Sequence, residues 1–147
     1  MADDIDISPV VALSESDAPQ IEALLPQLSS TATFDLDRLR TLIAAPDSHL
    51  FLAREQDRIV GMATLVTLPL VTGWRGIVED VVVDRRARGR GIARLLLTAI
   101  IDESTRRRLR TLDLTSRPER ESAIRLYESL GFERRETKAL RWVPAPA

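Results

Sequence analysis

Two periods of apolar and polar residues run along the chain, and the sharpest switch between them falls within Ile77 to Ile101, IVEDVVVDRRARGRGIARLLLTAII. Its first part is β-branched at Ile77, Val78, Val81, Val82 and Val83, a near-continuous apolar run that predicts a strand covered on both faces. Glu79 and Asp80 interrupt it. Successive side chains of a regular strand point to opposite faces, so one carboxylate is expected to face a core or cleft and its neighbour the other way. After Asp84 the period becomes helical: Ile92, Leu95, Leu96, Ala99 and Ile100 form one apolar stripe. Gly89, Gly91 and the arginines at 85, 86, 88 and 90 fill the turn between strand and helix.

The other elements read as packing around this unit. Residues 1–7 are expected to be frayed, and Val10 to Leu13 to form a first short strand. Ser16 or Asp17 caps a helix whose first turn accommodates Pro19, with Ile21, Leu24, Leu25 and Leu28 on one face. Asp35 caps a second helix through Leu36, Leu39, Leu42 and Ile43, which ends before Pro46. Leu50 to Arg54 and Ile59 to Thr67 read as an antiparallel hairpin, with Gly61 marking a bulge or a close approach, and Pro69 to Gly76, which holds Trp74, reads as a loop. Thr111 to Thr115 alternates as a strand. A helix follows from about Glu119 through Ala123, Leu126 and Leu130 to a left-handed cap at Gly131, and Phe132 to Trp142 is expected to close the sheet ahead of a flexible end at 143–147.

Length and composition narrow the chemistry. At 147 residues the chain is read as one domain, 1–147, large enough to bury roughly 70% of its unfolded surface. Without cysteine it has no disulfide, zinc thiolate site or thiol nucleophile. His49 is the only histidine and is read as structural or exposed, so no metal is expected. No apolar run approaches the ~20 residues that cross a bilayer, and the acidic start MADDIDIS is unlike a signal peptide, so a cytoplasmic location is expected. The net charge of −1 hides an asymmetry: residues 1–47 hold nine acids against Arg38 and Arg40, and residues 84–110 hold nine arginines against Asp84, Asp102 and Glu103. Basic charge this local favours a discrete polyanionic ligand over a nucleic-acid footprint. The arginines at 106, 107, 108 and 110 read more simply as cations at a helix C-terminus.

The first amides of a helix lack intrahelical partners and carry partial positive charge, and guanidinium groups match phosphate oxygens. Glycines there permit a tight turn and close approach to the backbone. A dinucleotide-binding turn would need a third glycine where Arg94 stands. The order strand, Arg86-x-x-Gly89-x-Gly91, helix resembles the acyl-coenzyme A signature of the GCN5-related N-acetyltransferase (GNAT) superfamily. The run Ala123-Ile124-Arg125-Leu126-Tyr127-Glu128-Ser129-Leu130-Gly131-Phe132 is similar to its second signature, A-x-x-L-Y-x-x-L-G-F. The resemblance spans Leu50 to Trp142 and departs at Arg120, where many members have asparagine.

That resemblance implies an α/β (α+β) fold. Its mixed, mostly antiparallel central sheet would have six to seven strands, splayed between the central strand and the next and flanked by about four helices. Acetyl-CoA is the implied cosubstrate, with no metal. Its pyrophosphate would meet Arg86, Arg88, Gly89, Arg90, Gly91, Ile92 and Ala93, and its pantetheine arm the backbone of Val81, Val82 and Val83. The expected gap lies between Ile77–Val83 and Thr111–Thr115, and the Val81 amide would polarise the thioester carbonyl.

A lysine-type amine, with a pKa near 10.4, must lose a proton before it attacks a thioester, and the departing thiolate must gain one. Glu79 is the candidate base, directly or through water, with Asp80 its near rival; Tyr127 matches the family's general acid. Leu28 to Phe34 would lie over the acceptor site, and Asp35 and Asp37 favour a cationic acceptor of unspecified identity. A non-catalytic acyl-CoA sensor of the same fold is the competing reading, and the family's tendency to dimerise leaves a homodimer open.

Overall fold

The computed structural model describes residues 4–146. The chain divides into two compact units, Met1–Thr115 and Ser116–Ala147.

In the first unit the elements run β1 (Ile5–Pro9), α1 (Asp17–Leu28), α2 (Leu36–Ala44), β2 (Ser48–Glu55), β3 (Arg58–Leu70), β4 (Gly73–Val83), α3 (Ile92–Arg106) and β5 (Thr111–Asp113). The strands form one sheet in sequence order, antiparallel from β1 to β4 and parallel between β4 and β5. Five strands are present among the described residues, where six to seven were expected. Together with α4 (Glu121–Ser129) in the second unit, the helices number four among those residues.

A register shift on β3 sets the layering: Ala53 pairs with Gly61 and Arg54 with Ile59, so Val60 is an extra residue. Ile59 and Met62, three apart, therefore both pack with Leu50, Leu52 and Val82 against Ile21, Leu24 and Leu39 of α1 and α2. Gly61 points to the other face. A Cβ there would sit 3.3 Å from both Ile92 and Leu96 of α3, so this glycine marks the close approach of helix to sheet. The stripe Ile92, Leu96, Leu97 and Ile100 is fully buried, each residue contributing roughly 1.5–3 kcal/mol of hydrophobic stabilisation.

Several expectations are corrected. The first strand is Ile5–Pro9, paired with β2 from Ile5↔Glu55 to Pro9↔Phe51, and not Val10 to Leu13. Asp4 and Asp6 flank Ile5 with the period-two pattern of an edge strand, which the acidic content of the segment obscured; of the supposedly frayed residues, 1–3 lie outside the described ones. Pro69 to Gly76 is no loop: β3 and β4 pair as far as Leu70↔Gly73, and Trp74 stands opposite Pro69. The strand at the start of the acidic-to-basic transition is thus longer than its apolar run. At the other end, β5 stops at Asp113.

Asp17 does not cap α1. Its buried carboxylate accepts Arg54 Nη1 at 2.8 Å, Arg54 Nη2 at 3.1 Å and the Ser14 amide at 2.9 Å, which ties the start of α1 to β2. Asp35 does cap α2, accepting from the Arg38 amide at 3.0 Å.

In the second unit, α4 turns at Gly131, whose φ is +103°, in the region expected for a glycine cap. Tyr127 meets Phe132 edge-on, with ring centroids 6.2 Å apart. Phe132 to Trp142 forms no strand. Residues 133–141 include Glu133, Arg134, Arg135, Glu136, Lys138 and Arg141, too little apolar surface at period two to be drawn into a sheet. Leu140 and Trp142 are correspondingly 93% and 84% exposed.

The Arg54 hydrogen bonds hold the Asp17 carboxyl at about 2, against an ordinary 3.8. A depressed acid stabilises the fold above its unfolded pKa and loses that contribution as pH falls through its folded value. Urea denaturation should therefore show roughly 2 kcal/mol lost from this pair between about pH 4 and pH 2. Asp17→Asn should start lower by a similar amount at neutral pH and show a shallower acid slope in that window.

Candidate functional site

Counting residues along the β3–β4 ladder locates the site. Thr64 pairs with Glu79 and Met62 with Val82, so Ala63 alone on β3 faces both Asp80 and Val81 on β4. One extra residue makes a β-bulge, and Asp80 takes it up with φ at +54°, a conformation that aspartate tolerates better than most residues. The bulge cancels the alternation expected of Glu79 and Asp80. Glu79 stands across from Thr64, and both Thr64 and Asp80 line one cavity of about 620 Å³. The two carboxylates thus serve one side of the sheet, where the sequence pattern placed them on opposite sides. Both are exposed.

The cavity lies beneath α1, α2 and their connector, with Leu25, Leu28, Phe34, Leu42, Leu50 and Met62 in its walls. Leu28 to Phe34, expected over an acceptor site, contributes Leu28, Thr31, Ala32, Thr33 and Phe34. Asp35 and Arg38 also line it, and Arg38 donates to the Thr33 carbonyl. Sequence pattern could not have revealed the cavity, because its wall combines α1, α2 and their connector with residues of β2, β3 and β4.

Along the opposite edge of β4 the sheet opens. Strand β5 pairs with it only at Arg75↔Thr111, Gly76↔Leu112 and Ile77↔Asp113, after which β4 continues to Val83. The expected gap therefore begins one residue later than Ile77. The Asp84 amide donates to the Val60 carbonyl on β3 at 2.8 Å. By the alternation of strand hydrogen bonding, the backbone groups of Val81 and Val83 then face the open side. Arg88 Nε donates to the Val83 carbonyl at 3.3 Å, which leaves Val81 the more accessible of the two. Val82 instead buries its side chain in the core under α1 and α2.

From Val83 the chain enters a single 3₁₀ turn, Arg85–Ala87, started by the Asp84 carboxylate accepting from the Arg86 amide at 3.1 Å. Gly89 and Gly91 have φ of +80° and +75°. A Cβ on either would meet nothing within 4 Å, so backbone conformation and not crowding demands glycine, and the space over both is open. The first bond of α3 runs from the Leu95 amide to the Gly91 carbonyl at 3.1 Å. The amides of Ile92 and Ala93 precede it and lie beyond the reach of the helix's own acceptors.

The arginines of this turn are less uniform than their sequence suggests. Arg86 pairs with Asp84 at 3.2 Å and Arg90 with Glu55, Nη1 to Oε1, at 3.3 Å. The Arg90 guanidinium holds the Glu55 carboxyl below the ordinary range. Burial pushes Asp84 upward, but bonds from the Arg86 amide and guanidinium outweigh it and leave that carboxyl lowered too. Arg85 is exposed, and its amide donates to Gln27 of α1 at 2.8 Å.

Tyr127 lies in the second unit, and its hydroxyl has no hydrogen-bond partner among the described residues. Arg120 occupies the N-cap position of α4 without a side-chain cap bond. His49 is half-buried on β2 opposite Leu65, and burial together with Arg107 lowers its pKa, in keeping with a structural role.

The first unit is thus a mixed α/β fold whose sheet opens beside its fourth strand and leads through a glycine turn into a helix. The Acetyltransferase (GNAT) family model matches residues 14–132, and the chain belongs to that family. It is 33% identical over 92 residues to the N-alpha-acetyltransferase RimI of Mycobacterium tuberculosis, covering 63% of this chain and 56% of the relative. The curated relatives it matches are spanned over only 22% and 56% of their length. Among solved structures it resembles a Trypanosoma brucei acetyltransferase, at 26% identity with a TM-score of 0.80 over 95% of this chain and all of the other. The aminoglycoside acetyltransferase AAC(6')-Iy, in complex with a CoA bisubstrate analogue, shares the fold at 21% identity and a TM-score of 0.80, over 96% and 99% of the two chains. No helix among the described residues is long and apolar enough to cross a membrane.

Gly91→Ala should cost about 1–2 kcal/mol through its left-handed backbone alone, read as a lowered denaturation midpoint, with the secondary-structure signal of the folded state unchanged.

Proposed function

We propose that this protein transfers an acetyl group from acetyl-CoA to a primary amine. One observation carries the reading: the unpaired edge of β4 beyond Ile77 runs directly into the left-handed turn at Gly89 and Gly91 and the free amides that open α3. An extended polar arm fits the first and a diphosphate the second. The open space over both glycines is the room such a ligand needs. The names of RimI and of the CoA-bound AAC(6')-Iy support the same chemistry.

In this reading Ile92 and Ala93 offer backbone amides to the diphosphate, together with Gly89 and Gly91. Arg86, Arg88 and Arg90 frame the turn, and their existing bonds to Asp84, Val83 and Glu55 fix their orientation. Val81 and Val83 supply strand-like backbone groups to the pantetheine arm, with Val82 anchoring the strand from its core side. The Val81 amide polarises the thioester carbonyl. Acetyl-CoA brings the activated acyl group. The amine nitrogen bonds to the acyl carbon, the carbon–sulfur bond breaks, Glu79 accepts the proton that the amine gives up, and the Tyr127 hydroxyl supplies one to the sulfur.

Thiol release from acetyl-CoA in the presence of an amine panel tests this. Amine-dependent release is expected. Glu79→Gln should lower kcat/KM by roughly 10²–10⁴-fold and Tyr127→Phe by a comparable or smaller factor. Release that no amine stimulates, with acetyl-CoA demonstrably bound, would point to a binding module instead; full activity in either variant would remove that residue from its role.

A further inference from the structure

The cavity beside the bulge constrains the amine, and the inference drawn from it rests on the acetyl-transfer reading above. Its walls are aliphatic and aromatic: Leu25 and Leu28 from α1, Phe34 from the connector, Leu42 from α2, and Leu50 and Met62 from the sheet. At about 620 Å³ it lies within the range of small-molecule pockets, ~300–1,000 Å³. Charge in it is sparse and uneven. Asp35 is occupied as the cap of α2, accepting from the Arg38 amide at 3.0 Å. Arg38 contributes a fixed positive charge to the same wall, its guanidinium held by the Thr33 carbonyl. Asp80 is different: it lines the cavity at the bulge, and its carboxylate has no hydrogen-bond or ion-pair partner among the described residues.

We infer that the acceptor is a primary amine carrying a single positive charge on an apolar body, held by Asp80 at its ammonium end and by the leucine, phenylalanine and methionine wall along its body. Asp80 lies on β4 beyond the last β5 pair, next to Glu79. An ammonium group on Asp80 is therefore delivered to the open stretch of strand where the proposed acyl donor would end. Asp80 draws the cation in, and its neighbour takes the proton. A second positive charge on the acceptor would reach the Asp35 carboxylate only beside the fixed cation of Arg38, and elsewhere would lie among apolar side chains, which is costly. The same reasoning disfavours an acceptor with a carboxylate beside its amine, since that group would face Asp80.

The shared chemistry, an amine on an apolar body, is found both in free monoamines and at the first residue of a peptide with an apolar side chain. The experiment compares four acceptors with the full chain and acetyl-CoA: phenethylamine, a peptide beginning with leucine, spermidine and an aminoglycoside. Acetyl-CoA binding is measured separately by calorimetry. The expected result is a kcat/KM for phenethylamine or the peptide at least tenfold above that for both polycations, and which of the two leads identifies the source. Asp80→Asn, which keeps a side chain suited to positive φ, should raise KM for the preferred amine by about 10–100-fold with the affinity for acetyl-CoA unchanged. Equal or better turnover of the polycations, no turnover of any acceptor by protein that binds acetyl-CoA, or an unchanged KM in Asp80→Asn would each overturn the inference. Failure to bind acetyl-CoA would instead overturn the acetyl-transfer reading beneath it.

Discussion

The structure depends on what happens to β4 midway along its length. On one side it gains an extra residue against β3, and on the other it loses β5, within the few residues from Ile77 to Val82. The first event puts Asp80 on the wall of the cavity and Glu79 across from Thr64 on the same wall. The second leaves strand hydrogen-bonding groups without a sheet partner in an otherwise paired interior, where unpaired backbone is costly unless water or a ligand satisfies it. Arg88 satisfies the Val83 carbonyl at 3.3 Å, and Val81 is left as the open position. The rest of the first unit supplies the rigidity that holds them in place: α3 pressed against Gly61 on one face, and α1 and α2 packed on Leu50, Leu52 and Val82 on the other.

Electrostatics in the turn follow from the same economy of placement. Acids from β2 and from the end of β4 hold Arg90 and Arg86, so guanidinium groups that would otherwise wave in solvent are oriented before any anion arrives. The partially charged amides of Ile92 and Ala93, fixed by the helix, then offer direction as well as charge. Asp17 and Arg54 perform a related task away from the turn, joining α1 to β2 through a buried pair and so fixing the roof of the cavity over its floor.

Much of this was legible in the chain itself. The change of period after Asp84 located β4, the turn and α3, and the capping role of Asp35 was readable from its position ahead of an apolar helical stripe. Gly61 inside an apolar strand signalled a bulge or a close approach, and both occur there: the register shifts beside it and α3 packs on it. The bulge was not legible, since alternation along β4 carries no record of how many residues β3 sets against it. Acidic residues hid the alternation of β1, and Asp17 resembled a cap because its true partner, Arg54, lies 37 residues away. The apolar residues at Leu140 and Trp142 suggested a last strand, yet the charges between them keep that stretch on the surface.

The proposal that acetyl-CoA lies along the open edge of β4 with its diphosphate at the start of α3 is tested most directly by amide chemical shifts recorded while the ligand is titrated in. The account predicts that the largest changes fall on the amides of Val81, Val83, Gly89, Gly91, Ile92 and Ala93, saturating together with one dissociation constant. Shifts confined to other surfaces, or a spectrum left unmoved at millimolar ligand, would contradict it.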